Sequence, residues 1–149
     1  MICRTQQDFD GMRKANKIVG DALRYAESQI RPGISTYELD KLVEKFIIDN
    51  GAIPSFKGFE GYPASICTSV NETVVHGIPS KDIILKEGDI ISVDIGTIVD
   101  GYNGDAARTF PVGKISLYIL VDENVNWYTL QLSFDIFFIC SLCTALISL

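Results

Sequence analysis

Two runs of alternating apolar and polar residues, Ile90 to Val99 and Tyr102 to Phe110, are separated by Asp100-Gly101. An Asp-Gly pair between alternating hydrophobics is a strong signal for a tight β-hairpin, because both residues tolerate the positive φ that such a turn requires. With a two-residue loop, Val99 faces Tyr102, Thr97 faces Gly104 and Gly96 faces Asp105. Successive side chains on a strand point to opposite faces. One face of the hairpin then carries Ile91, Val93, Ile95, Val99, Tyr102, Ala106 and Phe110, and is mostly apolar. The other carries Ser92, Asp94, Gly96, Asn103, Asp105, Ala107 and Thr109, and is small and polar.

Asp94 and Asp105 fall on that polar face as diagonal neighbours, with Cβ atoms somewhat under about 7–8 Å apart. Carboxylates held that close repel unless a cation or a shared proton lies between them. Gly96 and Ala107 leave room for an ion, and a divalent metal suits paired oxygen ligands. A solvated sheet face with two ordinary aspartates fits the spacing too. The placement also depends on the turn: a three-residue loop without a bulge would put the two acids on opposite faces.

Upstream, Thr5 with Asp8 reads as a helix start, and Met12, Ala15, Val19, Ala22, Leu23, Ala26 and Ile30 recur at helical spacing. Pro32-Gly33 ends that helix. Ser35 and Glu38 form a capping-box pattern for a second helix carrying Leu39, Leu42, Val43, Phe46 and Ile47, closed by Asn50-Gly51. From Ala52 the helical period is lost. Ser65 to Val70 and Thr73 to His76 read as two short strands around an Asn71-Glu72 turn. The fold class expected is α/β in the α+β sense, helices first and strands after.

The chain of 149 residues carries a net charge of -6, with Lys and Arg dispersed, so no basic patch points to nucleic acid. The N-terminal stretch lacks the apolar core of a signal peptide. Cys3, Cys67, Cys140 and Cys143 suggest no disulfide framework, and a reducing cytoplasm is the expected location. Composition changes near Gly113. Residues 1–113 mix charged and apolar residues as a globular unit does, whereas 114–149 end in the uncharged stretch Ile136 to Leu149, shorter than the roughly 18 residues a membrane span needs. Cys140 and Cys143 have C-x-x-C spacing but no second ligand pair.

His76, the single histidine, precedes Gly77-Ile78-Pro79; taken alone it is more often structural than catalytic. Its surroundings are more specific. GYP, VNETVVHGIP and EGDIISVDIGTIVDGYNGDAARTF, together with the upstream RPGISTYELD, resemble the type I methionine aminopeptidases of peptidase family M24 over residues 5–113. The HGIP and GYP motifs fit these enzymes better than the aminopeptidase P group of the same fold.

The resemblance implies the first half of a pita-bread fold, in which two pseudo-symmetric halves enclose a dinuclear centre. It implies two divalent metal ions (Co, Mn, Fe or Zn), with Asp94 holding one and Asp105 bridging both. It makes His76 a catalytic, substrate-side group near the scissile amide, and Phe59, Tyr62 and Cys67 walls of the pocket for the methionine side chain. The implied activity is removal of the N-terminal methionine from nascent polypeptides, in the cytoplasm and at the ribosome, by hydrolysis with metal-activated water. The family's second half should bring a metal-binding histidine, two glutamates and a second substrate histidine. After Arg108 the only acids are Asp122, Glu123 and Asp135, and there is no second histidine. The chain as given is therefore expected to be inactive alone, as a truncated enzyme with a non-family tail at 114–149. The competing expectation is a non-catalytic remnant or protein-binding module built on the half-fold.

Overall fold

The computed structural model describes residues 3–115; the expectations for the tail beyond Ile115 and for Cys140 and Cys143 lie outside the described residues. Helix α1 spans Gln6–Gln29. Its N-cap Thr5 accepts from the Asp8 amide, and the Asp8 carboxylate accepts from the Thr5 amide at 2.9 Å, a complete capping box. Its buried face is Ala15, Val19, Ala22, Leu23 and Ala26, the stripe that the periodicity predicts. Gly33, at φ +92°, makes the turn out of α1 and donates to the Leu85 carbonyl at 2.8 Å. Helix α2 spans Thr36–Asp49, starts with the Glu38 amide donating to Ser35 Oγ at 3.0 Å, and buries Leu39, Val43 and Ile47.

One antiparallel sheet lies against the helices. Strand β1 is Ile53–Pro54, β2 is Ile66–Val70, β3 is Ile90–Val99 and β4 is Tyr102–Pro111. β3 is central: β4 pairs along one edge, and β1 and β2 share the other. The β3–β4 register has Gly96 opposite Asp105 and Val99 opposite Tyr102, as a two-residue turn demands. Asp100 at φ +51° and Gly101 at φ +83° have the two positive values of a type I′ hairpin.

The apolar face of the hairpin meets the helices. Ile66, Ile91, Val93, Ile95 and Phe110 are buried with the α1 and α2 stripes in a single core. Full burial of each large aliphatic is worth roughly 1.5–3 kcal/mol. Two contacts bring α1 especially close to the hairpin. Thr97 Oγ1 donates to the Ala15 carbonyl at 3.2 Å, and Tyr102 donates to Asp8 Oδ1 at 3.1 Å. A Cβ on Gly104 would stand 2.7 Å from the Ala15 carbonyl carbon and 2.8 Å from its oxygen. Backbone cannot yield as a flexible side chain can, so Gly104→Ala should cost about 1–3 kcal/mol, the usual range for overpacking. A lowered urea midpoint measures this; an unchanged midpoint would mean that α1 can lift off the hairpin freely.

One sequence expectation fails. Thr73 to His76 is not a strand. Asn71 sits at φ +50° and His76 at φ +57°, and the Thr73 amide donates back to the Val70 carbonyl at 3.0 Å, so the chain curls instead of running alongside β2. Asn71 explains the curl: its amide donates to the Ile90 carbonyl at 3.1 Å and its side-chain oxygen accepts from the Ile90 amide at 3.0 Å. Gly77 returns to the side of β2, its carbonyl accepting from the Thr68 amide at 2.8 Å. Val74 and Val75 are left exposed. No helix among the described residues is long and apolar enough to cross a membrane.

Candidate metal centre

The polar face of the sheet can be followed strand by strand. Cys67, Asp94 and Ala107 form one cross-strand row, and Ser69, Ser92 and Thr109 the next, closed by a 2.7 Å contact between the Ser92 and Thr109 hydroxyls. Asp105 stands opposite Gly96, one row beyond Asp94 on the other side. Residues opposite each other share a face, so Asp94 and Asp105 are diagonal neighbours on the same side.

The two carboxyls are close enough for each to shift the other's ionisation. Asp94 is half-buried, while Asp105 keeps more of its side chain open to solvent. Burial, then the Asp105 charge, then donation of a hydrogen bond to Asp105 push the Asp94 carboxyl up to about 7. Burial also raises Asp105, and the bond from Asp94 partly offsets it. The larger shift falls on Asp94, the less exposed of the two. Asp94 Oδ1 is buried and has no hydrogen-bond partner in the described structure. A buried carboxylate oxygen left without a partner costs free energy unless something binds it.

These observations fit a divalent cation. The donors are hard oxygens, their mutual repulsion is what a positive ion removes, and one oxygen is unclaimed. The set is partial: among the described residues, no group of three or more His, Cys, Asp or Glu side chains is assembled to hold a metal ion.

Beside the acids lies a Tyr62–Cys67 contact. Burial, then the hydrogen bond with Cys67, raise the Tyr62 hydroxyl above its ordinary range. Burial raises the Cys67 thiol, with the charges of Asp94, Asp105 and Asp40 adding to it against the lowering effect of Tyr62. The Tyr62 hydroxyl reaches the Ile66 carbonyl at 3.1 Å and the Gly77 carbonyl at 3.3 Å, so it ties the loop before β2 to the loop after it. Cys67 is thus a buried, protonated thiol, not a nucleophile.

Of the six residues singled out from the sequence, the structure gathers Asp94, Asp105, Cys67 and Tyr62. Phe59 and His76 lie on exposed loops, one before β2 and one after it. Phe59 begins the 3-10 turn Phe59–Gly61 and is 68% exposed. Gly58 at φ +84° and Glu60 at φ +48° turn the loop at that point. His76 is exposed on the curled loop next to Gly77, whose amide donates to Ser69 Oγ at 3.1 Å.

One residue escapes a sequence search: Asp40. It lies in the buried stripe of α2 and is 1% exposed. Its Oδ1 accepts from the Ser65 amide at 2.8 Å and the Ile66 amide at 3.1 Å, immediately before Cys67. The available signal was a lone charge beside Leu39 and Val43 in an apolar stripe.

Comparison with known proteins agrees with this arrangement. Metallopeptidase family M24 matches residues 10–126, past the change in composition near Gly113. The chain is 57% identical to the methionine aminopeptidase of Clostridium acetobutylicum over 116 residues, covering 78% of this chain and 46% of that protein. It is 53% identical to methionine aminopeptidase 1 of Bacillus subtilis over the same span, again covering 46% of the relative. The crystal structure of methionine aminopeptidase from Rickettsia prowazekii superposes with a TM-score of 0.76 at 39% identity, over 80% of this chain and 48% of that one. The chain therefore spans about half the length of the relatives it matches, and the α+β arrangement of the described residues is half of their pita-bread fold. With most of its length matched by the family and its two neighbouring carboxylates on the sheet's open face, the chain belongs to metallopeptidase family M24.

Proposed function

We propose that this chain supplies the first half of a methionine aminopeptidase, with Asp94 and Asp105 as its contribution to a dinuclear divalent-metal centre. The observation that carries the proposal is the pair itself: two carboxyls as diagonal neighbours on adjacent strands, with Asp94 Oδ1 buried and unclaimed. Asp94 and Asp105, the latter the more open of the two, would be the residues through which this chain holds the ions. Cobalt, manganese, iron and zinc all suit such oxygen donors in company with further ligands. Bound there, the ions supply Lewis acidity and an activated water near neutral pH.

The remaining roles belong to the chain's own side chains. Tyr62 and Cys67 wall the subsite for the methionine side chain; a buried thiol beside an aromatic ring suits a flexible thioether. Phe59, on the turn just before Tyr62, is the third residue of that wall. His76 donates to or accepts from the first peptide group of the substrate and stabilises charge on the carbonyl oxygen as it becomes tetrahedral. The half-domain in this reading is residues 1–113, supported by the end of β4 at Pro111, and residues 114–149 follow it in the sequence as a separate segment. The substrates are nascent polypeptides that begin with methionine, met in the cytoplasm as they leave the ribosome.

Two carboxylates are too few to hold an ion tightly. Manganese titrated into the 149-residue chain should bind weakly, with a dissociation constant of about 10⁻⁴–10⁻³ M, as at incomplete oxygen sites. Paramagnetic resonance of free manganese measures it. Asp105→Asn should remove this binding, because an amide is a weaker and uncharged ligand. Binding that survives in Asp105→Asn would locate the ion elsewhere. The activity itself is tested by joining residues 3–115 to the remaining half of the Bacillus subtilis relative and assaying methionine release from a Met-Ala-Ser peptide. The chain alone should release none.

A further inference from the structure

We infer that one turn of α2, Asp40 to Glu44, is a positioning device that holds the Tyr62–Cys67 wall in place. The inference rests on the assignment of that wall to the substrate subsite, but its geometry stands on the structure. Asp40 is buried, and its Oδ1 accepts from the amides of Ser65 and Ile66, at 2.8 and 3.1 Å. β2 begins at Ile66, so the carboxylate caps two strand amides directly before Cys67. The Ser65 amide precedes the paired part of the strand, and without Asp40 it would be a buried donor with no partner.

The other carboxylate oxygen of Asp40 meets Lys41 Nζ at 3.1 Å. Lys41 in turn reaches Glu44 Oε2 at 2.7 Å, and Glu44 also pairs with Lys57. Lys57 belongs to the loop that leads through Phe59 to Tyr62. Charges therefore alternate along a chain from Lys57 through Glu44 and Lys41 to Asp40, and on to the β2 amides. Glu44 restrains the segment that brings in Tyr62; Asp40 restrains the strand that carries Cys67. The same turn holds both, and the Tyr62 hydroxyl donates at 3.1 Å to the carbonyl of Ile66, the residue directly before Cys67. A buried acid that only filled space would be replaced at less cost by an apolar residue, since buried ion pairs seldom add net stability. Its hydrogen-bonding geometry to two backbone amides is what an apolar residue could not reproduce.

The test is the reactivity of Cys67, which at 5% exposure reacts only when its surroundings open. Wild-type chain, Asp40→Asn and Asp40→Ala are treated with iodoacetamide, and the modified cysteine is identified by peptide mass spectrometry. Loss of the oxygen that accepts from both amides should speed Cys67 alkylation in Asp40→Ala by at least about tenfold. Asp40→Asn keeps an oxygen that can accept from both amides, and its rate should stay within about twofold of wild type. Cys3, at the far end of α1, serves as the internal reference and should not change. An unchanged Cys67 rate in Asp40→Ala overturns the inference. So does an equal acceleration in Asp40→Asn, which would trace the effect to lost charge and not to the strand amides.

If Asp40→Ala does not fold, two measurements decide. The Ser65 and Ile66 amides of the wild-type chain should exchange hydrogen as slowly as the β3 core, and Asp40→Asn should fold with Cys67 protected. Fast exchange at those amides, or an unfolded Asp40→Asn, overturns the inference. A separate arm asks whether methioninamide slows Cys67 alkylation in wild type. Failure of that arm removes the subsite assignment and leaves the positioning role of α2 intact.

Discussion

In the chimera with the Bacillus subtilis half, Asp105→Asn is expected to abolish methionine release together with bound metal, whereas His76→Ala abolishes most turnover and leaves the metal in place. The two losses differ in kind. Asp105 is one of two carboxylates placed side by side by the β3–β4 register, and replacing it removes both a ligand oxygen and the charge that balances a cation. Loss of even a group that only supports a metal ligand typically costs about 10–100-fold, so loss of a ligand itself should exceed that range. Asp94→Asn should behave in the same direction. His76 lies on the exposed loop leading to Gly77. A donor aimed at a developing oxyanion is worth about 10²–10³ in turnover. Metal analysis of the purified variants beside the kcat measurements separates the roles. Metal lost from His76→Ala would make this residue a ligand and overturn its assignment. Full activity in Asp105→Asn would overturn the metal centre. Tyr62→Ala should act differently again, raising KM for methionyl peptides more than it lowers kcat, and an unchanged KM would leave Tyr62 as packing.

Much of this site was legible before any coordinates, for a local reason. Asp100-Gly101 favours a two-residue turn, and with that turn present the β3–β4 register places Asp94 beside Asp105 by counting, where a three-residue loop would have parted them. The helices were legible on the same local terms: Thr5 and Asp8 cap one, Ser35 starts the other, and the apolar period marks their buried faces. What could not be read depends on contacts between distant segments. β1 has two residues, one of them proline, and exists because Ile53 and Pro54 meet Ile98 and Thr97. The stretch Thr73 to His76 has strand-like residues but is pulled into a curl by Asn71, which bonds to Ile90. Asp40 lies 25 residues from its Ser65 partner, and no spacing rule connects them. The glycines around Phe59 announce a turn, yet where the ring ends up depends on the positive φ values of Gly58 and Glu60.

Without metal, the carboxylate pair should make the folded chain less stable as pH rises from about 4 to about 7. The sign follows from the direction of the shift. Asp94 titrates at about 7 in the folded chain and near the ordinary 3.8 when unfolded. Below pH 4 it is neutral in both states and adds no penalty. Between pH 4 and 7 the unfolded chain releases the proton that the folded chain retains, so folding becomes steadily less favourable; above 7 the loss is complete. Asp105 is raised in the same direction. Tyr62 and Cys67, both pushed upward from ranges already above neutral, do not titrate in this window. Asp21 and Glu44 are held below their ordinary values, so their contributions vanish only at more acidic pH. Between pH 5.5 and 8 the expected loss is about 1–2 kcal/mol, after allowance for solvent screening on the open side of the sheet. Urea unfolding at the two pH values measures it. In Asp94→Asn the difference should shrink to whatever the other groups supply, and in wild type at pH 8 millimolar manganese should recover part of it by binding only the folded state. Equal stability at pH 5.5 and 8 in metal-free wild type would mean that the two carboxyls relax apart at little cost, and that the folded chain does not hold them ready for a cation.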